Sequence, residues 1–162
     1  MSGVAAPVRA YVGIGANLGD AAATVRAAAE RLRPLGLRRL SSLYRSAPID
    51  ATGPDFVNAV AELDSPLPPL ALLRALQAIE QDFGRERPYR NAPRTLDLDL
   101  LLHGEARLAS EPLTLPHPRL HERAFVLCPL LELAPELVVT GLGALADHRA
   151  AVAGQSLERV GE

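Results

Sequence analysis

Arg94-Thr95-Leu96-Asp97-Leu98-Asp99-Leu100-Leu101-Leu102 alternates leucine with polar residues through its first half. Side chains of a strand point to opposite faces in turn. Leu96, Leu98, Leu100 and Leu102 are therefore expected on a buried face, with Asp97 and Asp99 together on the other. The alternation predicts a strand over residues 95–103, in a sheet that packs one face on a core. It also sets two carboxylates ~7 Å apart on a rigid element. Their repulsion, at an effective dielectric of about 20, is roughly 2–3 kcal/mol. A bound divalent cation turns that cost into an attraction. Oxygen-only donors suit Mg²⁺, which takes one or two carboxylates and completes its shell with water and substrate phosphates. By itself the pair fits a metal site and a solvated acidic strand face equally well.

The preceding loop shifts the balance. Residues 84–94 hold Arg85, Arg87, Arg90 and Arg94, stiffened by Pro88 and Pro93 and without an apolar anchor. Such a run alone is an ordinary solvated loop. Directly ahead of two metal-competent carboxylates it makes a complementary set, arginine for phosphate oxygens and carboxylate for Mg²⁺. That combination points to phosphoryl-transfer chemistry, in which positioning and charge neutralisation dominate.

Composition narrows the classes further. The 162 residues suit one domain with a full core. The formal net charge of -2 disfavours a general nucleic-acid binder. Cys128 is the single cysteine, which excludes an internal disulfide framework and a cysteine-based zinc site. It lies in an apolar run, as a structural core thiol does. Residues 1–8 do not read as a signal peptide, and no apolar run is long enough to span a bilayer, so a cytoplasmic protein is expected. All seventeen basic residues are arginine. Schiff-base catalysis and a lysine-bearing Walker loop are thereby excluded.

Outward from the acidic strand, the chain reads as alternating elements. Residues 9–15 form a first strand, followed by a turn and a helix capped by Asp20 and running to about Arg33. Residues 37–45 read as a second strand, 46–55 as a loop, and 56–63 as a third strand. A second helix covers about 68–83, with Leu70, Leu73, Leu76, Ile79 and Phe83 at helical spacing. The order strand, helix, strand, strand, helix, strand is the split βαβ pattern of an α+β, ferredoxin-like (βαββαβ) sandwich. Residues 105–162 are expected to add short helices and strands within the same single domain.

Other motifs carry less. Gly13-Ile14-Gly15-Ala16-Asn17-Leu18-Gly19 resembles a dinucleotide fingerprint, but Leu18 stands where the third glycine belongs, and a tight strand-to-helix turn explains it better. His117 and His121 lie in a proline-stiffened turn with Arg119 and Arg123. Pro118 disfavours a helical metal pair, leaving phosphate binding and a plain surface turn as equal readings. His103 is expected to be structural, and His148 carries no signal. Asn58, an amide among apolar strand residues, either ties down the adjoining loop or reads a heterocycle.

Several segments together resemble the 6-hydroxymethyl-7,8-dihydropterin pyrophosphokinases of folate synthesis. They are Gly13 to Gly19, Ser42-Leu43-Tyr44-Arg45-Ser46, Pro54-Asp55-Phe56-Val57-Asn58-Ala59, Pro93-Arg94-Thr95-Leu96-Asp97-Leu98-Asp99, Leu115-Pro116-His117 and Arg123-Ala124-Phe125-Val126-Leu127. The resemblance spans about 11–137, and its most specific string ends in Asp97-Leu98-Asp99. It implies transfer of pyrophosphate from ATP, the co-substrate, to a pterin hydroxymethyl oxygen, releasing AMP. It implies two Mg²⁺ held by Asp97 and Asp99, with Arg85 and Arg94 as catalytic charge-neutralising groups. Gln77, Glu80, Arg87, Arg94, His117 and Arg123 match ATP-side positions. Ser46, Pro48, Phe56, Asn58 and Phe125 match the pterin side. Loops near 16–20, 46–55 and 84–94 are expected to close over the substrates. Asn91, Pro112 and Pro118 depart from residues that some members carry. No residue stands out as a general base. The partners expected are ATP and a small pterin, with neither nucleic acid nor membrane, and a monomer.

Two other functions use parts of this pattern. A two-metal phosphodiesterase or nucleotidyltransferase also needs paired carboxylates. A ferredoxin-like RNA-binding module needs aromatics clustered on the central strands, whereas Tyr11, Tyr44, Phe56, Phe83, Tyr89 and Phe125 are scattered.

Overall fold

The computed structural model describes residues 6–17, 19–47, 55–84 and 96–160. Strand β1 (Val8–Ala16) and helix α1 (Ala21–Arg31) follow the expected order. Asp20 caps α1, accepting a hydrogen bond from the Ala23 N–H at 3.1 Å. The helix stops at Arg31, earlier than expected. Pro34 lies in a 3-10 turn, Arg33–Leu35, and Gly36 follows at φ 93°. A Cβ on Gly36 would collide with the Asp64 carbonyl, so only glycine permits this entry into the sheet.

The expected second strand is two strands, β2 (Leu37–Leu40) and β3 (Tyr44–Ser46). Both pair antiparallel with β4 (Phe56–Ser65), but in different registers. The break is at Ser41, whose hydroxyl accepts from the Val60 N–H at 2.9 Å in place of a ladder carbonyl. Helix α2 (Pro69–Gly84) leads toward β5 (Asp97–His103). The sheet order is β10-β3-β4-β1-β5, with β2 also on β4, and its pairings are antiparallel. β10 is Glu158–Arg159 from the C-terminal segment.

Alternation decides which face each residue takes. Ala10, Val12, Ile14 and Ala16 of β1 join Val57, Ala59, Ala61 and Leu63 of β4 and Leu96, Leu98 and Leu100 in one cluster with residues of α1 and α2. Leu102 departs from expectation. The β1–β5 register shifts between Tyr11 and Val12, and Leu102 joins Leu101 in a second cluster on the opposite face.

That second cluster is built by the tail. Helix α3 (Ala124–Leu133) is apolar nearly all round, and Leu120, Leu127, Leu130, Leu131 and Leu145 are essentially fully buried. The tail is thus a third layer rather than a set of surface additions. It continues through two small hairpins, β6 (Leu108–Ala109) with β7 (Thr114–Leu115) and β8 (Val138–Val139) with β9 (Gly143–Ala144), and a short α4 (Arg149–Val152). Among the described residues no helix is long and apolar enough to cross a membrane.

Candidate active site

On the face that α3 covers, β1 carries Tyr11, Gly13 and Gly15. In the antiparallel register Gly13 lies opposite Asp99 and Gly15 opposite Asp97. The exposed carboxylates therefore have no cross-strand side chain beside them. Both glycines lie within the strand, which runs one residue past its expected end at Gly15, and they floor a cavity; Gly19, at φ 57°, belongs to the expected turn. Their signal in the sequence was the i, i+2 spacing on the face opposite Val12 and Ile14.

The cavity is about 260 Å³. Asp97 and Asp99 stand at one side and Ser46, Phe56, Asn58, Arg123 and Phe125 at the other. Asn58 is 4% exposed, yet it lines this space. Its Nδ2 donates to the Ser46 hydroxyl at 2.7 Å. Its Oδ1 lies over Gly15, close enough that an added Cβ would come within 3.2 Å. The amide is thus anchored by one end, consistent with both readings its sequence context left open. Phe125 and Arg123 come from the start of α3, and the Arg123 guanidinium carbon is 5.7 Å from the ring centroid.

Asp99 also borders a second recess, of about 270 Å³, which holds His117, Leu73, Pro112 and Pro118. His117 Nδ1 accepts from the Arg119 N–H at 3.1 Å, and the His117 N–H donates to the Leu101 carbonyl at 2.9 Å. An accepting Nδ1 leaves the proton of the neutral ring on Nε2. Burial pushes the imidazole below its ordinary pKa, Asp99 opposes this, and Arg123 and Arg119 reinforce it.

Glu80 of α2 reaches the strand itself. Its Oε2 accepts from the Leu98 N–H, between the two aspartates, at 2.7 Å. Spacing alone could not show this, because the partner is a backbone group on another element. Gln77, one turn earlier, is exposed. Pro48, Arg85, Arg87 and Arg94 lie outside the described residues, as does most of the expected 46–55 and 84–94 loops.

Other candidates resolve differently. His103 is buried, its Nε2 2.8 Å from the Leu67 carbonyl. Cys128 packs against the second cluster, and burial pushes its thiol up. His121 sits edge-on to His148, with centroids 5.1 Å apart. Among the described residues no three His, Cys, Asp or Glu side chains converge as a metal cage. The donor set at Asp97 and Asp99 fits a hard cation that takes its remaining ligands from water and phosphate.

The sequence matches the family described as 7,8-dihydro-6-hydroxymethylpterin-pyrophosphokinase over residues 11–135. A Pseudomonas aeruginosa protein named 2-amino-4-hydroxy-6-hydroxymethyldihydropteridine pyrophosphokinase is 46% identical over 94% of this chain and 96% of its own length. A Haemophilus influenzae protein of the same name is 43% identical over 82% and 85%. Among solved structures, an HPPK-DHPS in complex with substrates superposes with a TM-score of 0.74 at 12% identity, over 91% of this chain and 43% of that one. At that identity the likeness speaks for the fold.

Proposed function

The chain belongs to the 7,8-dihydro-6-hydroxymethylpterin-pyrophosphokinase family, and from that premise we propose how its cleft carries the reaction. It is an ATP-dependent pyrophosphokinase: pyrophosphate passes from ATP to the hydroxymethyl oxygen of 6-hydroxymethyl-7,8-dihydropterin, and AMP leaves. A cavity of about 260 Å³ is at the small end of ligand pockets, a size for a bicyclic heterocycle rather than a whole nucleotide. The pterin occupies it, with Phe125 and Phe56 against the ring and the fixed amide of Asn58, braced by Ser46, on its polar edge. Pro48 is a further pterin-side residue by the family match alone. Asp99 is shared with the His117 recess. The triphosphate runs across that boundary and the nucleotide lies beyond it, toward Gln77 and Glu80.

Asp97 and Asp99 would hold two Mg²⁺. Cations bound there supply charge neutralisation of the triphosphate and lower the pKa of the attacking hydroxyl. The chain's own residues orient the reactants. Asn58, Ser46 and Phe125 aim the hydroxymethyl group at the β-phosphorus for in-line attack. The His117 Nε2–H donates to a phosphate oxygen, and Arg123 adds positive charge at the same boundary. Arg85, Arg87 and Arg94 are the remaining phosphate partners, with Arg85 and Arg94 neutralising the charge that develops. Glu80 ties α2 to the aspartate-bearing strand by accepting from the Leu98 N–H.

The antiparallel order of β2/β3, β4, β1 and β5, with α1 and α2 on one face, supports a ferredoxin-like core. Both hydrophobic clusters share that sheet, which supports one pyrophosphokinase domain over 1–162. One copy of the chain brings Ser46, Asn58, Asp97, Asp99, His117 and Phe125 to the two adjoining recesses, which supports a monomer. ATP as co-substrate and a single cysteine support a cytoplasmic setting.

The observation that carries this assignment is the shared cavity, which joins the amide and aromatic wall to the carboxylate pair. The test is AMP release from ATP, Mg²⁺ and 6-hydroxymethyl-7,8-dihydropterin, compared with Asp97→Ala. Turnover is expected to vanish in the variant while its thermal midpoint stays put. Near-normal turnover would overturn the metal assignment.

A further inference from the structure

The start of α3 carries Arg123 and Phe125, yet it cannot hold itself in place. Arg123 is the N-cap residue, in extended conformation, and its side chain makes no capping bond. Arginine has no acceptor to offer the first-turn amides. Pro129 lies inside the helix and has no N–H, so the Phe125 carbonyl lacks its i+4 donor.

The missing cap comes from the C-terminal segment. Gln155 Oε1 accepts from the Ala124 N–H at 2.8 Å. Its Nε2 donates to the Glu122 carbonyl, also at 2.8 Å. One amide thus spans Arg123 from both sides, a role that needs a donor and an acceptor together. Gln155 is itself held, its N–H donating to the Val152 carbonyl at 3.0 Å. Beyond it, β10 pairs with Tyr44 and Arg45 of β3, and the Val160 N–H donates to the Leu43 carbonyl at 2.8 Å. The same short segment therefore grips both walls of the pterin cavity, the α3 start and the strand that carries Ser46. Gln155 borders an open recess with Ser46, Arg123 and Phe125 next to that cavity.

We propose that Gln155 is a positioning residue for pterin binding, setting the Phe125 ring by substituting for the absent cap of α3. The proposal rests on the assignment of that wall to the pterin. The far end of α3 is independently secured. Leu130, Leu131 and Leu133 are buried, and Glu132 accepts from the Tyr44 hydroxyl at 2.7 Å and from the Ser42 N–H at 2.9 Å. Loss of Gln155 therefore loosens the first turn without releasing the helix.

Three variants of the full chain test this: Gln155→Leu, which removes donor and acceptor; Gln155→Glu, which keeps the acceptor alone; and Phe125→Ala, which reports on the wall itself. KM for 6-hydroxymethyl-7,8-dihydropterin, KM for ATP and the thermal midpoint are measured for each. Gln155→Leu is expected to raise the pterin KM ~5-fold, the scale of a lost helix cap, while the ATP KM changes less than ~2-fold. Gln155→Glu should fall between it and the parent, and it stands in if Gln155→Leu fails to fold. Equal rises in both KM values would overturn the proposal, since a general loss of structure has no substrate preference. An unchanged pterin KM in the Gln155 variants beside a raised one in Phe125→Ala would overturn Gln155 alone. An unchanged pterin KM in Phe125→Ala would overturn the wall assignment, and the proposal with it.

Discussion

Two acidic regions sit on one face of the same sheet and are treated in opposite ways. Phe56, Asn58, Val60 and Glu62 alternate along β4 toward the α3 side. At the far end Glu62 is 1% exposed. It accepts from Arg39 Nε at 3.0 Å and from the Tyr11 hydroxyl at 2.9 Å, with Arg38 at 3.2 Å and Arg9 at 3.5 Å. Arg39 also donates to the Leu133 carbonyl, tying this cluster to the end of α3. At the near end Asp97 and Asp99 are exposed and face glycines. A buried carboxylate must find its partners within the chain. Exposed carboxylates aligned on a strand above two glycines leave room for a partner from solution. The first arrangement ties the third layer to the sheet, and the second lines the cavity between that layer and the sheet.

The largest break in this contrast is Asp99→Ala. Turnover should fall by about 10³-fold or more, because Asp99 borders both recesses, while the thermal midpoint stays within ~2 °C. An assay paired with a melting curve checks both halves. Gly15→Ala comes next in its effect on activity. The new Cβ approaches Asn58 Oδ1 at 3.2 Å, and since Ser46 holds the amide, the amide must shift. A pterin KM raised about 10-fold with an unchanged ATP KM is expected, and equal changes in the two would count against the pocket.

Glu62→Ala inverts the pattern. The three arginines are about half exposed and can return to water, so the cost is mainly the stranded Tyr11 hydroxyl and the lost charge-assisted bonds, about 2 kcal/mol. The midpoint should drop by about 6 °C and kcat should not change. A kcat loss beyond that explained by unfolding would show that the two regions are coupled.

The smallest effect concerns pH. Burial alone would lift the Glu62 carboxyl, but Arg39, Tyr11 and Arg9 outweigh it and hold it below the ordinary 4.5. Burial would likewise lift Glu132, and Tyr44, Ser42 and Arg159 bring it below 4.5. A carboxyl with a lowered folded pKa stabilises fully above its unfolded value, and that contribution fades as pH falls from there through the folded value. Urea midpoints should therefore decline below about pH 4.5, and Glu62→Gln should flatten the decline. An equal decline in the variant would place the acid sensitivity elsewhere.

Much of this was legible in the residues. Alternation at Leu96 to Leu100 placed both aspartates on one face, Asp20 marked the start of α1, and the leucine spacing marked α2. The split of residues 37–45 was not legible, because it depends on the Ser41 hydroxyl replacing a carbonyl across the sheet. Alternation puts Leu102 on the wrong face because the pairing with β1 skips Leu101, an extra residue in the acidic strand itself that breaks the period. Gly13 and Gly15 fall at the end of the expected first strand, but their use, clearing space opposite Asp97 and Asp99, appears only once the strands are paired.

The linear sequence determined what its short-range chemistry could carry: the carboxylate pair, the family motif around it, and the run of strands and helices. Those depend on the identity and spacing of near neighbours. Tertiary structure alone decided which partners close each polar group. Glu80 reaches the Leu98 amide, Glu62 collects arginines from two strands, and Gln155 caps a helix that begins 31 residues earlier. Such bonds leave no period in the sequence, because hydrogen-bond partners are set by where the folded chain brings its backbone together, not by distance along it.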